Sequence, residues 1–289
     1  MQSTVTATKR VAIQGVKGAF HEIAARKFFG DKMELDMCES FPALFRSLDN
    51  KNSTYGVIAI ENSVAGTILP NYALLRNSAF TIVGEVYLRI EHQLMALPGQ
   101  KIEEITEVYT HPMALKQCQR FLEGVPHMKQ VEHADTAGAA QWIATKGHIA
   151  KAAIASSLAA QYYGMEILAP SIEDNKRNFT RFLIVTDASE GLEDSSLLDK
   201  ASLCFNLLHK VGYLSQVLLV LSSHGMNLAK IQSSPIVGVE WEYFFHIDLE
   251  YDDYAQYRRA LEAIRPLVNE LKILGEYPKG DKSGVHPSS

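Results

Sequence analysis

The chain has 289 residues, of which 47% are hydrophobic, and its 28 basic and 33 acidic side chains give a formal net charge of -5. This length favours two domains over one, and the apolar fraction is sufficient for a complete core. Because no long basic run and no stretch of ~20 apolar residues occurs, the sequence predicts a cytoplasmic protein with neither nucleic acid nor membrane as a partner. The three scattered cysteines are expected to be free thiols.

Strand and helix patterns alternate from the start of the chain to Val185. Short apolar runs such as "RVAIQG", "YGVIAIENS" and "EITEVYT" are typical of strands, and each precedes a segment with helical periodicity. Pro70 and Pro112 stand in the first turns of two predicted helices, and Gly30 and Gly124 follow the ends of two, as helix boundaries favour. These repeated units predict an α/β fold with a mostly parallel sheet covered on both faces.

A second pattern begins after a polar, acidic segment. "DASEGLEDSSLLDK" has the composition of a linker, which we assign to residues 187–199. Residues 200–279 then follow the order strand, helix, strand, strand, helix, strand, which is the ferredoxin-like βαββαβ unit. The predicted domains are therefore 9–186 and 200–279, and residues 280–289 are expected to form a disordered tail.

The common cofactor and metal motifs do not occur in this sequence. It has no GxGxxG and no GxxxxGK[ST], the fingerprints of nucleotide sites. Its ten histidines show no HExxH or other ligand spacing. The sequence therefore predicts neither a cofactor nor a metal.

Four strand-to-helix turns are rich in small polar residues: 15–18, 61–67, 110–112 and 135–138. In a parallel sheet such turns gather at the carboxyl ends of the strands, where ligands bind. Helix N-termini there offer unpaired N–H groups that suit carboxylates. The pattern predicts a cleft for a small anion between two lobes, although turn glycines, helix caps and a surface His111 would explain the same residues individually.

The segment "NFTRF" places an amide and a hydroxyl at the start of an apolar strand. With a period of two, Asn178 and Thr180 share one face, and Arg181 points to the other. Hydrogen bonding at the strand edge is an alternative reason for the first two residues. Arg181 is interpreted as a member of a structural ion pair.

Taken together in this order, the motifs resemble those of the prephenate dehydratase family. The segments that carry the resemblance are "GVKGAF", "ENSVAGT", "HPMALKQC", "DTAGAA", "NFTRF" and "WEYFFHIDLE", and they cover about residues 10 to 280. The resemblance implies a catalytic domain of two α/β lobes, like a periplasmic binding protein, with the second lobe at approximately 85–165. It also implies cofactor-free conversion of prephenate to phenylpyruvate, water and carbon dioxide, with Thr180 as the essential residue. The C-terminal unit resembles an ACT domain, the family's phenylalanine-binding regulatory module.

Site residues follow from the resemblance and from the chemistry. Thr180 and Asn178 are the predicted catalytic pair, Thr180 as hydrogen-bond donor to the departing oxygen and Asn178 as the group that orients the ring hydroxyl. The predicted substrate-binding residues are Gly18, Asn62, Ser63, Gly66, Thr67, Thr136 and Phe182. The predicted phenylalanine contacts are Gly212, Tyr213, Leu214, Asn227 and Leu228, at the interface of a homodimer or homotetramer formed by ACT domains.

The sequence departs from the family pattern at three places. Relatives often carry threonine or serine where Ala19 stands, so this loop is expected to act through backbone N–H groups. The ACT segments that often read GALA and ESRP are "GYLS" and "QSSP" here, with the bulky Tyr213 and with Ser234 in place of an arginine.

Two alternative functions remain open at this stage. The first is dehydration of arogenate, which bears an amine where prephenate has a ketone. The second is a non-enzymatic sensor of an aromatic acid and an amino acid. Prephenate is preferred because no acidic residue can be assigned to the amine, and Thr180 beside Asn178 favours an enzyme.

Overall fold

The computed structural model describes residues 8–190, 194–207, 210–236 and 238–283. Packing divides the chain into two compact units. The first contains the described residues up to Ile68, residues Val86–Phe182 and the described residues from Lys282 onward, and the second contains Leu69–Glu85 and the described residues of Leu183–Asp281. Residues 191–193 of the predicted linker and 284–289 of the predicted disordered tail lie outside the described residues.

The secondary structure follows the alternation expected from the sequence. The strands are β1 (Lys9–Gln14), β2 (Met33–Cys38), β3 (Tyr55–Asn62), β4 (Gly66–Thr67), β5 (Phe80–Arg89), β6 (Gln93–Ala96), β7 (Glu107–Thr110), β8 (Lys129–Glu132), β9 (Lys151–Ala155), β10 (Glu166–Ala169), β11 (Phe179–Asp187), β12 (Lys200–Asn206), β13 (Asn227–Pro235), β14 (Tyr243–Glu250) and β15 (Asn269–Tyr277). The α-helices are α1 (Phe20–Phe29), α2 (Phe41–Asp49), α3 (Leu69–Asn77), α4 (Pro112–Gln117), α5 (Gln119–Glu123), α6 (Thr136–Lys146), α7 (Ser157–Tyr163), α8 (Tyr213–Ser223) and α9 (Tyr254–Ile264).

The first unit is built from two lobes, each with its own sheet. In the first lobe, which contains β1–β4, α1 and α2, strand β1 lies between β2 and β3 and is parallel to both. The second lobe contains β6–β10 and α4–α7, with strand order β10-β6-β9-β7-β8. Strands β7, β8 and β9 are parallel, whereas β6 and β10 run antiparallel to their neighbours. The strands of both sheets carry many buried aliphatic side chains, as expected for strands covered on two faces.

Helix boundaries in the second lobe follow the capping preferences of the sequence. Asp135 caps α6 by accepting a hydrogen bond from the Gly138 N–H, and Ser156 caps α7 through the Ala159 N–H. Helix α6 ends at Gly147, whose φ of 65° is left-handed and therefore suits a glycine. These caps fix the ends of α6 and α7 that lie nearest the first lobe's 15–18 turn.

The second unit contains the predicted βαββαβ module. Its antiparallel strands have the order β13-β14-β12-β15, and α8 and α9 cover one face of this sheet. Buried apolar residues of the strands and both helices form one core, including Leu203, Val217, Ile247 and Leu261. The segment Leu69–Glu85 packs within this unit. The predicted boundaries 9–186 and 200–279 stay predictions. The predicted fold class, a two-lobed α/β domain followed by a ferredoxin-like module, is confirmed.

Three further features bear on the predictions from composition. Cys38, Cys118 and Cys204 are buried and free, as expected for a protein without disulfides. Within the described ranges, no helix is long and apolar enough to cross a membrane. In the same residues, no group of three His, Cys, Asp or Glu side chains could hold a metal ion.

His246 gives the second unit a pH-dependent stability. The residue is 2% exposed. Burial is the main cause that lowers its pKa to about 4, with further lowering by Arg76 and Lys230 and an opposing contribution from Asp248. The folded state therefore keeps this imidazole neutral, whereas the unfolded chain takes up a proton below about pH 6.5. Because the unfolded state then binds more protons, the stability contributed by His246 is present above pH 6.5 and is lost as the pH falls towards 4.

We expect the free energy of unfolding to fall by roughly 3 kcal/mol through His246 alone between pH 7 and pH 4. Urea denaturation of wild type and His246→Gln across this range measures the effect. The difference in stability between the two proteins should shrink as the pH falls. A difference that stays constant with pH would contradict the assignment of a neutral buried imidazole.

Candidate active site

Asn178 and Thr180, at the start of β11, accept hydrogen bonds from the same side-chain amide, that of Asn62. Asn62 Nδ2 donates to Asn178 Oδ1 at 2.7 Å and to Thr180 Oγ1 at 2.9 Å. All three residues are buried, and none is more than 8% exposed. Asn62 is the last residue of β3, and Asn178 and Thr180 stand on either side of the first residue of β11. The strand period therefore brings the two side chains onto one face, where one carboxamide contacts both.

The turn after β3 fixes the orientation of the Asn62 amide. The backbone N–H groups of Val64 and Ala65 donate to Asn62 Oδ1 at 3.0 and 2.8 Å. Since the oxygen accepts these bonds, the NH2 group must face β11. The chain then reverses into β4, where Gly66 has a φ of 84°, a left-handed conformation that favours glycine.

Gln117 connects this cluster to the second lobe. It is the last residue of α4, and its Oε1 accepts from Asn178 Nδ2 at 3.0 Å. Its Nε2 donates to Asn62 Oδ1 at 3.4 Å. Gln117 was not among the predicted site residues, although it lies within the motif "HPMALKQC". A helix-terminal glutamine has no local signal that distinguishes a site residue from a surface one.

His92 contacts the side-chain amide of Gln117. Its Nε2 lies 3.0 Å from Gln117 Oε1, and its backbone N–H donates to Glu173 Oε2 at 2.9 Å. Because Gln117 Oε1 is an acceptor, Nε2 carries the proton of the neutral ring. Burial lowers the pKa of His92, outweighing the opposing effects of Gln117 and Glu173, which favours this neutral form. The side chains of Asn62, Asn178, Gln117 and His92 are thus uncharged.

The arrangement leaves the hydroxyl proton of Thr180 free for a ligand. Thr180 Oγ1 accepts from Asn62, and a hydroxyl has one proton to donate. Within the part of the chain that the structure describes, no side chain or carbonyl accepts that proton. A neutral donor held in this way points its hydrogen towards whatever binds beside it.

Apolar side chains stand next to this donor. Phe182 follows Thr180 by two residues, is 1% exposed, and meets the His21 ring at a centroid distance of 5.0 Å and an angle of 83°. Burial lowers the pKa of His21 to about 4, so this ring is neutral at working pH. Phe20 packs edge-on against His92 at 5.5 Å. Phe20 and Phe182 thus pack against neutral imidazole rings in this part of the protein.

Gly18 has a structural role that differs from the one predicted. Its N–H donates to Glu22 Oε2 at 2.7 Å, and its carbonyl accepts from Ser156 Oγ at 2.6 Å. A Cβ on Gly18 would lie 2.6 Å from the Cα of Ala159, so only glycine fits between the lobes here. The carboxylate of Glu22, from the first turn of α1, already occupies the donor that we predicted for substrate. Gly18 therefore uses this N–H within the protein, and its substrate-binding role stays a prediction.

Ser63 also has its hydrogen bonds satisfied by the protein. Its Oγ donates to the Arg177 carbonyl at 2.9 Å and accepts from the Phe179 N–H at 2.9 Å. The hydroxyl therefore joins the start of β11 to the end of β3, and the substrate-binding role of Ser63 stays a prediction. Thr67 pairs with Glu61 in the β3–β4 hairpin, and the substrate-binding roles of Gly66 and Thr67 stay predictions.

Thr136 opens α6, where Asp135 already supplies one carboxylate. Asp135 Oδ2 accepts from the N–H groups of Gly138 and Val16 at 3.2 and 3.3 Å. The first N–H groups of α6 therefore face the 15–18 turn of the other lobe. The substrate-binding role of Thr136 stays a prediction.

The structural ion pair predicted for Arg181 and the structural alternative for His111 stay predictions. Arg181 is 4% exposed, within β11 and next to Thr180 in sequence. His111 is the N-cap of α4, and its Nδ1 accepts from the Met113 N–H at 3.1 Å. Neither side chain belongs to the amide network around Asn62.

We expect Gln117→Ala to lower kcat by roughly 10²-fold, because it removes the group that holds Asn178 and Asn62 in place. Steady-state kinetics on folded protein measure the change. Gln119→Ala is the matched control, since Gln119 Nε2 donates only to the Leu115 carbonyl of the preceding turn. A kcat for Gln117→Ala equal to that of the control would contradict the positioning role.

Comparisons with known proteins show which family the chain resembles. A sequence model of the family described as "PDT: Prephenate dehydratase" matches residues 11–190. The arogenate dehydratase/prephenate dehydratase 2 of Arabidopsis thaliana is 37% identical over 281 residues, which are 93% of this chain and 72% of that protein. The prephenate dehydratase of Arthrobacter aurescens in complex with L-Phe gives a TM-score of 0.84 at 26% identity, covering 97% of this chain and 92% of that one. A structure described as GqqA, a novel type of quorum quenching acylase, gives a TM-score of 0.85 at 29% identity, covering 94% and 98%.

The fold and the family match together define a two-lobed α/β enzyme. The family match covers most of the first unit and all residues of the amide network. The chain belongs to the prephenate dehydratase family. This membership confirms the predictions of family and of enzyme class.

Proposed function

We propose that this chain dehydrates and decarboxylates prephenate to phenylpyruvate, with the Thr180 hydroxyl as hydrogen-bond donor to the departing ring oxygen. The observation that carries the proposal is the bond from Asn62 Nδ2 to Thr180 Oγ1 at 2.9 Å. It fixes the oxygen of Thr180 as an acceptor and so directs its only proton towards the ligand. The catalytic roles of Thr180 and Asn178 remain part of this proposal.

The reaction needs a donor of this kind because hydroxide is a poor leaving group. As the ring becomes aromatic, hydroxide departs at one end and carbon dioxide at the other. A donor that binds more strongly as negative charge develops lowers the barrier without holding the substrate more tightly. An aliphatic alcohol is too weak an acid to give up its proton outright at pH 7. Thr180 therefore acts as an oriented donor, with water completing the proton transfer.

Uncharged surroundings also suit the loss of carbon dioxide. A tight ion pair with the departing carboxylate would stabilise the substrate more than the transition state. Asn62, Asn178 and Gln117 are neutral, and burial keeps His92 neutral as well. Phe182 supplies an apolar wall. The carboxylate that survives the reaction is assigned to the first N–H groups of α6 at Thr136.

Prephenate is preferred over arogenate because the acid nearest the network is already engaged. Glu173 is 1% exposed, and its Oε2 accepts the backbone N–H of His92. Its Oε1 lies 3.5 Å from Lys176 Nζ and 3.8 Å from an Arg89 nitrogen. This carboxylate is therefore neutralised by protein groups, and the ammonium of arogenate would gain little from it.

The second unit is proposed to be an ACT domain that binds L-phenylalanine. The predicted contacts Gly212, Tyr213 and Leu214 lie at the start of α8, and Tyr213 and Leu214 line a pocket of about 180 Å³. Its other lining residues are Leu207, Lys210, Trp241, Glu242, Tyr243 and Phe245. A cation, an anion and several aromatic rings are the groups that match the carboxylate, ammonium and ring of this amino acid. Tyr213 therefore contributes an aromatic wall where relatives have a smaller residue.

A homodimer or homotetramer through this unit is part of the proposal. Asn227 and Leu228 begin β13, which pairs with β14 on one side and lies at the end of the strand order of the described sheet. Leu228 and Ile231 are 36% and 42% exposed. An edge strand with exposed apolar side chains is suited to pairing with a second copy.

Acyl transfer, which the description of GqqA would suggest, is the less favoured function. Hydrolysis of an amide needs a nucleophile with an adjacent base. Among the described residues, no carboxylate or imidazole hydrogen-bonds to Thr180 Oγ1. Dehydration needs only a hydrogen-bond donor, which the Thr180 hydroxyl provides.

A product assay tests the proposal. Purified full chain is mixed separately with prephenate, arogenate and an N-acyl substrate, and phenylpyruvate, phenylalanine and the free acid are followed. Phenylpyruvate from prephenate is the expected result. Turnover confined to either of the other substrates would overturn it. Calorimetric titration with L-phenylalanine is expected to show binding and inhibition, and no heat with unchanged activity would remove the regulatory part.

A further inference from the structure

Three side-chain amides beside Thr180 form a closed cycle of hydrogen bonds. Asn62 Nδ2 donates to Asn178 Oδ1 at 2.7 Å, and Asn178 Nδ2 donates to Gln117 Oε1 at 3.0 Å. Gln117 Nε2 donates back to Asn62 Oδ1 at 3.4 Å, so every amide donates to the next in one direction. All three residues belong to the same compact unit and are at most 8% exposed. The protein, and not the solvent, therefore determines the direction of this amide cycle.

The direction of the amide cycle decides where the Thr180 proton goes. A carboxamide has an acceptor on one side and a donor on the other, and turning it over exchanges the two. In the observed direction, Asn62 Nδ2 donates to Thr180 Oγ1 at 2.9 Å, and the hydroxyl proton stays available for a ligand. In the reverse direction, Asn62 Oδ1 would face Thr180 and accept that proton. Reversal would thus remove the donor on which the proposed dehydration depends.

Groups outside the amide cycle fix its direction at two places. The backbone N–H groups of Val64 and Ala65 donate to Asn62 Oδ1 at 3.0 and 2.8 Å. At the other place, His92 Nε2 lies 3.0 Å from Gln117 Oε1. An N–H group at either place requires an amide oxygen opposite it. Both requirements are met only by the observed direction, provided that His92 carries its proton on Nε2.

The imidazole of His92 is held in a way that suits this role. The residue is 2% exposed, and among the described residues no group hydrogen-bonds to its Nδ1. Its backbone N–H donates to Glu173 Oε2 at 2.9 Å, and its carbonyl accepts from the Ile172 N–H at 2.8 Å. The Phe20 ring packs edge-on against the imidazole at 5.5 Å and 86°. The only hydrogen bond of the imidazole within the described chain is therefore the one to Gln117.

We propose that His92 is a positioning residue whose Nε2 proton sets the direction of the amide cycle and thereby keeps the Thr180 proton for the substrate. His92 acts through Gln117 and Asn62 and does not itself contact the reacting atoms. Without this donor, the direction is fixed at Asn62 alone, and Gln117 turns over in part of the molecules. The inference rests on the proposed function, because it concerns the donor to the departing oxygen.

Two substitutions at His92 separate the hydrogen-bond donor from the packing of the side chain. His92→Leu keeps apolar bulk and should lower kcat for prephenate roughly tenfold with KM nearly unchanged, as expected for the loss of one hydrogen bond that orients the site. His92→Gln should retain most of the wild-type kcat, because a glutamine amide reaches the position of Nε2 and offers an N–H there. His127→Leu is the control, since His127 is exposed and its Nε2 lies 3.2 Å from the Ile102 carbonyl.

The kinetic comparison is made at a temperature where denaturation curves show every variant fully folded. Equal losses of kcat in His92→Leu and His92→Gln would overturn the inference, because packing alone would then explain both. A kcat for His92→Leu equal to that of His127→Leu would overturn it as well.

The proton position in the wild-type chain gives a test that needs no turnover. Nitrogen-15 chemical shifts distinguish a protonated ring nitrogen from a bare one, and the His92 signals are assigned by their absence from the spectrum of either His92 variant. The expected result at neutral pH is a proton on Nε2 and none on Nδ1. A proton on Nδ1 would overturn the inference. If the wild type does not convert prephenate, the proposed function fails, and this spectrum still decides the direction of the amide cycle.

Discussion

Replacing Thr180 with valine should lower kcat for prephenate by about 10²–10³-fold, the usual cost of losing one donor to a developing oxyanion. The substitution keeps the shape of the side chain and removes only the hydroxyl. Thr180→Ser should retain most of the activity, because it preserves the oxygen that accepts from Asn62 and the proton that it directs. Steady-state kinetics and equilibrium binding of substrate measure the two effects separately.

The effect should fall on kcat and leave substrate affinity nearly unchanged, because the bond strengthens only as the oxygen departs. Thr106→Val is a suitable control, since Thr106 Oγ1 donates to the Ala150 carbonyl away from the network. Near-normal turnover by Thr180→Val would show that another group donates. A rise in KM at constant kcat would show that Thr180 only binds substrate.

Lys200→Met should destabilise the protein by about 3–5 kcal/mol, because it leaves a buried carboxylate without its partner. Lys200 Nζ lies 2.9 and 3.1 Å from the two oxygens of Glu85, and the side chains are 1% and 0% exposed. The Gly280 N–H also donates to Glu85 Oε1 at 2.9 Å. Once the ammonium is removed, a neutral donor of this kind does not offset the desolvation of the carboxylate. Chemical denaturation at pH 7 measures the loss.

Two further variants separate the burial of the charge from its removal. Lys200→Met combined with Glu85→Leu should recover much of the stability, since a buried pair replaced by apolar groups is often neutral. Lys279→Met disrupts an exposed pair with Asp199 at 3.3 Å and should cost less than about 1 kcal/mol. Equal losses for Lys200→Met and Lys279→Met would contradict the account of this pair.

The sequence was sufficient for the features that depend on local pattern. Alternating strand and helix signals indicated the two lobes and the βαββαβ module because periodicity and capping act over a few residues. The strand period placed Asn178 and Thr180 on one face, and both contact Asn62. The residue at the end of β3 meets those at the start of β11 because the two strands are neighbours in the sheet, with the Ser63 N–H donating to the Phe179 carbonyl.

Features that depend on long-range packing were not accessible in this way. Gln117 comes from α4 in the other lobe, and only the fold brings it to Asn62. The N–H of Gly18 looked free in the sequence, but Glu22 occupies it from the next helical turn. The association of Leu69–Glu85 with the C-terminal residues has no local signal, because it depends on contacts such as Arg76 with Phe244.

The most direct test is a crystal structure of Thr180→Val with prephenate bound, since this variant should bind substrate and turn it over slowly. The account predicts that the ring hydroxyl oxygen lies within about 3.5 Å of the position that Thr180 Oγ1 occupies in the wild type, with the departing carboxylate against Phe182 and the neutral amides. A ring hydroxyl directed away from residue 180, towards any other donor, would contradict it.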